Sequence, residues 1–196
     1  MIATVRAQQP VCKIIDIGGT LDFWHTWRNH VSMDGVTIDC VNRDENHASK
    51  SGYDQVSFIK GDARDLSPIT DHSYDIAFSN SVIEHVGTWA DMLRMANEVR
   101  RVAVRYIIQT PYYWFPIEPH MRMPLMHWLP ESLSYRIVMV HKCGFFEKQS
   151  TVLGAMTVVQ DARLLDIGQM QALFPDAVIH KERFLGWVKS LTAVRT

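Results

Sequence analysis

Short apolar runs alternate with polar segments along the first 110 residues, and most runs end near turn-forming residues. Strands buried in a parallel sheet have this pattern, because helices cover both faces of such a sheet. We predict strands over 11–17, 36–41, 55–59, 73–80 and 103–111. Strands separated by helix-length gaps indicate βαβ units and a parallel sheet.

Helical periodicity is clearest after the fourth predicted strand. Thr88 and Asp91 have the spacing of a capping box, and apolar residues recur after them on one face of a helix. Further helices are predicted over 21–31, 131–142 and 166–175.

The regular alternation breaks at residues 111–130, which contain five of the eight prolines and a group of aromatic residues. Proline excludes both a continuous helix and a central strand. Residues 147–165 carry no pattern that assigns them to an element. The runs "AVIHKERF" and "WVKSLTAV" then predict a hairpin that turns at Leu185 and Gly186.

Length and composition indicate one globular domain over residues 1–196. Hydrophobic residues make up 47% of the 196 residues and charged residues 21%. Within this domain, we expect 111–165 to be an insertion or lid on the substrate side. The formal net charge of -1 gives no basic surface, so nucleic acid is not an expected partner.

Targeting and metal signals are absent from the sequence. The odd number of cysteines, three, includes no CxxC pair, which is typical of a reduced, cytoplasmic protein. No apolar run reaches the roughly 18 residues of a membrane span, and no signal peptide is predicted. The nine histidines show neither HxxxH nor HExxH spacing, so no metal site is predicted. No pattern predicts the oligomeric state.

The first strand ends in a glycine turn within "KIIDIGGTLDFW", residues 13–24. Ligands of open α/β sheets bind at the carboxyl ends of strands, where such a turn lets them approach the backbone. The GxGxxG and GxxxxGK[ST] patterns of dinucleotide and phosphate sites are absent. Asp16, two residues before the first glycine, would repel a polyphosphate and favours a cationic or amine-bearing ligand.

This turn resembles the first motif of class I S-adenosylmethionine-dependent methyltransferases, hh(D/E)hGxGxG, although Thr20 and Asp22 replace the later glycines. "FIKGDARDL" resembles the segment after the third strand of that family, and "YDIAFSNSVIEHVG" resembles its fourth strand and the "hhEH" continuation. The resemblance implies an α/β, Rossmann-like sheet of seven mostly parallel strands, with helices on both faces and a C-terminal antiparallel hairpin. It also implies S-adenosylmethionine as the cofactor.

The resemblance assigns a set of cofactor-binding positions. They are Asp16, Gly18, Gly19, Thr20, Asn42, Asp62, Ala63, Ser79 and Asn80. Asp62 would bind the adenine amino group, while Asn42 at the end of the second strand would bind the ribose, with Asp39 as the alternative. An amide can accept one hydroxyl hydrogen bond and donate another.

The expected activity is methyl transfer to a small-molecule acceptor, at oxygen. No (D/N)PP(Y/F) motif follows the fourth strand, which argues against a nucleobase acceptor. In "IEPH", His120 oriented by Glu118 is the candidate general base or acceptor-binding group, and His85 competes for that role. The alternatives are a protein of this fold that binds S-adenosylmethionine without catalysis and, less favoured, a nicotinamide-dependent oxidoreductase.

Overall fold

A central sheet organises the computed structural model, which describes residues 1–27, 32–44 and 55–196. In the described residues, seven strands form this sheet in the order β3-β2-β1-β4-β5-β9-β8. The strands are β1 (Cys12–Ile17), β2 (Val36–Asn42), β3 (Val56–Lys60), β4 (Tyr74–Asn80), β5 (Ala103–Pro111), β8 (Val178–Phe184) and β9 (Trp187–Arg195). The first five are parallel, and β9 pairs antiparallel with both β5 and β8. The predicted fold class is confirmed.

The strand order reverses at β1, which pairs with β2 on one side and with β4 on the other. Such a switch point opens a crevice at the carboxyl ends of the two diverging strands. β1 lies at the centre of the sheet, and five of its six residues are buried. The glycine turn that follows β1 therefore lies at the crevice.

Helices cover the sheet on both faces. They are α1 (Ile2–Arg6), α2 (Leu21–Trp27), α3 (Trp89–Val102), α4 (Glu131–Val140), α5 (Val152–Val159) and α6 (Ile167–Leu173). Residues of α3 and α6 pack in one core cluster with β4 and β5, and residues of α1 and α2 pack in a second cluster on the other face. No helix among the described residues is long and apolar enough to cross a bilayer.

Helix ends follow the sequence signals. The predicted capping box is present at Thr88, and a second one forms at Asp166 with Gln169. The helix predicted over 131–142 ends at Val140. The helix predicted over 21–31 extends to Trp27, and residues 28–31 lie outside the described part of the chain.

Residues 111–165 fold around a small core of their own. They contain the two-residue strands β6 (Ile117–Glu118) and β7 (Met123–Pro124), together with α4 and α5. The buried side chains of this core are Met121, Met126, Val138, Cys143, Ala155 and Val158. The helix α5 occupies a stretch for which the sequence pattern predicted no element.

Candidate active site

The glycine turn after β1 is built for close backbone approach. Gly18 has φ +80°, a conformation that favours glycine, and its N–H donates to the carbonyl oxygen of Val41 at 2.7 Å. A Cβ on Gly18 would lie 2.5 Å from the Val82 methyl groups. A Cβ on Gly19 would overlap the Asp16 carboxyl group. Both positions therefore require glycine.

Asn42 secures this turn from the end of β2. Its Nδ2 donates to the carbonyl oxygens of Gly18 at 3.1 Å and Gly19 at 3.2 Å. The alternative ribose contact, Asp39, is engaged elsewhere, because its carboxylate accepts from Ser57 Oγ and from the Tyr74 hydroxyl. Of the two candidates, Asn42 lies beside the turn.

Asp16 is buried beneath the glycine turn, with 2% of its surface exposed. Its Oδ2 accepts from the indole N–H of Trp24 at 2.7 Å. Burial raises the pKa of Asp16 to about 7, although the Trp24 hydrogen bond opposes the shift. A nearby cationic group would therefore stabilise the ionised form of this carboxyl.

Asp62 follows β3 and pairs with Arg64. The Arg64 Nε donates to Asp62 Oδ1 at 2.9 Å, and Nη2 donates to Oδ2 at 2.6 Å. This side-chain hydrogen bonding lowers the pKa of Asp62 to about 2. The Asp62 side chain is 31% exposed, so its free lone pairs can still accept from a ligand.

Two cavities flank the glycine turn, and we call them the turn cavities. The first has a volume of about 150 Å³, and its lining includes Gly18, Asn42, Asp62, Ala63 and His85. The second has a volume of about 120 Å³, and its lining includes Asp16, Gly18, Gly19, Thr20 and Asn80. Gly18 and Val82 line both cavities.

Eight of the nine predicted cofactor positions thus lie together, and Ser79 is the exception. Ser79 is completely buried, and its Oγ donates to the carbonyl oxygen of Ile17 at 2.8 Å. In this structure it joins β1 to β4 rather than lining a turn cavity. Thr20 also has a structural hydrogen bond, because its Oγ1 accepts from Phe23 N at the start of α2.

A second group of polar side chains lies beside the turn cavities. A one-turn 3-10 helix, Ile83–His85, follows β4, and the loop after β6 carries His120. His85 Nε2 and His120 Nε2 are 3.1 Å apart. We call Glu84, His85 and His120 the histidine cluster, because one possible ligand atom from each lies within 4.8 Å of the others. All three predicted catalytic residues, His120, Glu118 and His85, therefore meet at one place.

A carboxylate contacts the outer nitrogen of each histidine. His120 Nδ1 lies 2.7 Å from Glu118 Oε1, and His85 Nδ1 lies 3.2 Å from Asp161 Oδ2. Glu118 is 4% exposed and also accepts from the backbone N–H of Met121. Burial acts to lower the pKa of His85, but the Asp161 hydrogen bond and the Glu84 carboxyl outweigh it, and the pKa is raised.

Glu84 is buried, with 1% of its surface exposed. Its Oε2 accepts from Thr110 Oγ1 at 2.9 Å. Among the described side chains, Glu84 Oε1 and His127 Nδ1 are the buried polar atoms without a hydrogen-bond partner. Burial raises the pKa of Glu84.

A larger cavity of about 310 Å³ opens on the other side of the histidine cluster. It lies between the 111–165 segment and the start of α3, and Glu118, His120, Tyr113, Trp89, Asp161 and Arg163 are among its lining residues. His120 lines this large cavity while His85 lines a turn cavity, so the histidine pair forms the boundary between the two spaces.

Sequence reasoning missed Asp161, Thr110 and Arg64 as partners of the site. Arg64 stands two residues after Asp62, so its pairing could have been inferred from local spacing. Asp161 and Thr110 act through contacts with residues 76 and 26 positions away along the chain, and no local pattern encodes those contacts.

Comparison with known proteins identifies related sequences and folds. A family model described as "Methyltransferase domain" matches residues 29–171. An uncharacterized protein of Mycobacterium tuberculosis is 36% identical over 56 residues, which are 29% of this chain and 19% of that protein. The chain therefore spans only a small part of the curated relative it matches.

Solved methyltransferases share the fold. The CurJ carbon methyltransferase matches with a TM-score of 0.61 at 12% identity, over 98% of this chain and 51% of that chain. An S-adenosylmethionine-dependent methyltransferase from Mesorhizobium loti matches with a TM-score of 0.59 at 14% identity, over 98% and 96% of the two chains. At these identities the structural likeness shows a shared fold, and the family model over residues 29–171 confirms the resemblance drawn from the sequence motifs.

Proposed function

Since the chain belongs to a family of methyltransferase domains, we propose that it transfers a methyl group from S-adenosylmethionine to an oxygen atom of a small-molecule acceptor. The observation that supports this proposal most directly is the histidine pair at the boundary between the turn cavities and the large cavity. A transferred group must pass between a donor site and an acceptor site, and a proton-accepting group is needed beside that path.

The turn cavities have the chemistry that the cofactor requires. Gly18 and Gly19 expose backbone without side chains, and Asp62 and Asn42 offer oxygen acceptors for amino and hydroxyl groups. Asp16 gives the second turn cavity a buried carboxyl that suits the positive charge of a sulfonium or an ammonium group. We therefore assign cofactor binding to both turn cavities.

S-Adenosylmethionine, when bound, supplies a methyl group whose bond to sulfur breaks with the electron pair left on sulfur. An acceptor hydroxyl in the large cavity would use an oxygen lone pair to form the new C–O bond. His120 would accept the hydroxyl proton at Nε2, because Glu118 holds a proton on its Nδ1. The chain's main contribution is then to align the acceptor and exclude water.

The 111–165 segment would form the acceptor side of a single domain over residues 1–196. Its own small core holds one wall of the large cavity, and Tyr113, Met121 and Met126 line that wall. The cavity is partly apolar and of a size suited to a small molecule. With a net charge of -1, the chain offers no reason to expect nucleic acid as the acceptor. We expect the protein to act in the cytoplasm, because its three cysteines include no CxxC pair.

Two rival functions are open to test. A protein that only binds S-adenosylmethionine would have the turn cavities without turnover, and a nicotinamide-dependent oxidoreductase would prefer NADPH. Calorimetric titration of the purified chain with S-adenosylhomocysteine and with NADPH tests the oxidoreductase, and conversion of S-adenosylmethionine to S-adenosylhomocysteine in the presence of hydroxyl acceptors distinguishes the enzyme from the binding protein. We expect binding of S-adenosylhomocysteine alone.

Substitutions in the turn cavities make the test specific. Asp62→Ala and Asn42→Ala should each weaken S-adenosylhomocysteine binding by about 1–3 kcal/mol, because each leaves a buried polar partner unpaired. Asp39→Asn is the matched control, since Asp39 is occupied by Ser57 and Tyr74. Unchanged affinity in both folded test variants, or preferential binding of NADPH, would rule out the proposed cofactor site.

A further inference from the structure

The two histidines of the histidine cluster face each other in an unusual way. Each ring has a carboxylate at Nδ1, which is Asp161 for His85 and Glu118 for His120. A carboxylate accepts hydrogen bonds, so each Nδ1 acts as the donor and Nε2 is the ring nitrogen left for another partner. The two Nε2 atoms are nevertheless only 3.1 Å apart. A proton on one Nε2, or a cation bound to both, holds two such nitrogens at this distance.

A metal ion satisfies this arrangement. Nitrogen ligands of a first-row divalent cation lie about 2.0–2.1 Å from the metal, so two adjacent ligands are about 2.9–3.4 Å apart at angles between octahedral and tetrahedral. The observed 3.1 Å separation lies within that range. The carboxylates at Nδ1 would orient the rings and fix the tautomer, as partners of metal-bound histidines do.

Glu84 supplies a third ligand and an independent reason for a cation. It is 1% exposed, Thr110 Oγ1 donates to only one of its carboxylate oxygens, and Oε1 has no partner. A buried carboxylate oxygen without a donor is costly, and a bound cation removes that cost. One carboxylate oxygen of Glu84 and one nitrogen of each histidine lie within 4.8 Å of one another.

We propose that Glu84, His85 and His120 bind one divalent first-row transition-metal cation, such as Zn²⁺, Mn²⁺ or Fe²⁺. Two imidazoles and one carboxylate are a common ligand set for these ions, and they leave coordination positions open. The sequence prediction of no metal considered only local spacing, whereas these ligands come from segments 35 residues apart.

The site's location indicates the class of acceptor it would take, and this step rests on the proposed methyltransferase function. The cluster separates the turn cavities from the large cavity, so open coordination positions would face an acceptor. A cation there binds oxygen donors and lowers the pKa of a coordinated hydroxyl. The acceptor is therefore expected to present a hydroxyl group with a second oxygen near it. With the cation bound, His120 Nε2 would be a ligand in place of the proton acceptor, and the coordinated hydroxyl would release its proton to water.

Metal binding can be measured without cofactor or acceptor. The chain, free of any polyhistidine tag, would be treated with chelator, separated from it, and titrated with CoCl₂ and with ZnCl₂ by visible absorption and by calorimetry. We expect one cation per chain. His120→Ala and Glu84→Gln should each weaken affinity at least tenfold, whereas His180→Ala, an exposed histidine on β8, should not change it.

Glu84→Gln retains the size of the side chain and a hydrogen-bond acceptor for Thr110, so it tests the site if His120→Ala fails to fold. Failure of the folded chain to bind either metal stoichiometrically, or full affinity in Glu84→Gln, would overturn the metal site. Titration of the same samples with S-adenosylhomocysteine reports on the proposed function separately. Metal binding without S-adenosylhomocysteine binding would support the site and contradict the function, and the reverse result would overturn the site alone.

Discussion

The Asp16 carboxyl group shows how a single residue links the glycine turn to the stability of the fold. It is buried beneath the turn, and the Trp24 indole donates a side-chain hydrogen bond to it. Burial without a counter-charge raises its pKa from 3.8 to about 7. A fold maintains such a group when a ligand supplies the missing charge, which is consistent with a cationic cofactor.

This shift predicts the pH dependence of unfolding. Between about pH 4 and pH 7 the unfolded chain loses the Asp16 proton while the folded chain retains it. The free energy of unfolding therefore falls as pH rises through that window, by about 2–4 kcal/mol in total. In Asp16→Asn this contribution disappears, while the side-chain oxygen can still accept from Trp24.

Urea unfolding of both proteins at several pH values measures the effect. The difference in unfolding free energy between Asp16→Asn and the unsubstituted chain should grow in favour of the variant from pH 4 to pH 7 and stay constant above it. S-Adenosylhomocysteine affinity of the variant should fall at the same time. A difference that does not change with pH would contradict the raised pKa of Asp16.

Among the elements, the strands were predictable to within one residue at their ends. The run predicted over 103–111 is β5 itself, and the other four runs match β1 to β4. Apolar runs that end at turn residues carry this information locally. The helix α5 could not be predicted, because "VLGAMTVV" is nearly all apolar and has no polar face to reveal helical spacing.

Contacts between elements explain what the sequence left open in the site. Asp16 lies at the end of β1, and Gly18 and Asp62 follow β1 and β3, so their approach follows from the parallel sheet and could be predicted. The contact between His85 and His120 depends instead on the path of the loop after β6. That path is set by packing within the 111–165 segment, which the sequence pattern does not describe.

Because the 111–165 segment has a core of its own, we expect the cofactor to slow amide hydrogen exchange in only one part of the chain. S-Adenosylhomocysteine should slow amide hydrogen exchange around the glycine turn and at residues 61–64, where the turn cavities are lined. Amides of α4 and α5 should be unaffected, because their buried contacts are within the segment's own core. Mass-spectrometric exchange with and without the ligand provides the measurement.

Equal protection of both regions would contradict this division and would indicate that the 111–165 segment closes over the cofactor. Exchange in α6 provides a reference within the same experiment. This helix packs in the core cluster of the sheet and lines neither turn cavity, so its exchange rate should stay constant.

Two units of the fold meet at one boundary. The sheet and its helices carry the turn cavities, and the 111–165 segment carries most of the wall of the large cavity. The histidine cluster takes Glu84 and His85 from the first unit and His120 from the second. Cofactor binding should therefore stabilise the chain through the first unit alone.

Thermal unfolding tests this division. A ligand at one hundred times its dissociation constant adds about 2.7 kcal/mol to the unfolding free energy. For a chain of this size, that gain raises Tm by about 5–10 °C.

With chelator present to exclude metal, S-adenosylhomocysteine should produce this rise in the unsubstituted chain and in His120→Ala, because His120 lines the large cavity only. In Asn42→Ala at the same ligand concentration the rise should shrink, because Asn42 holds the glycine turn. NADPH at the same concentration should leave Tm unchanged. Loss of the rise in a folded His120→Ala variant would mean that the acceptor-side unit also holds the cofactor.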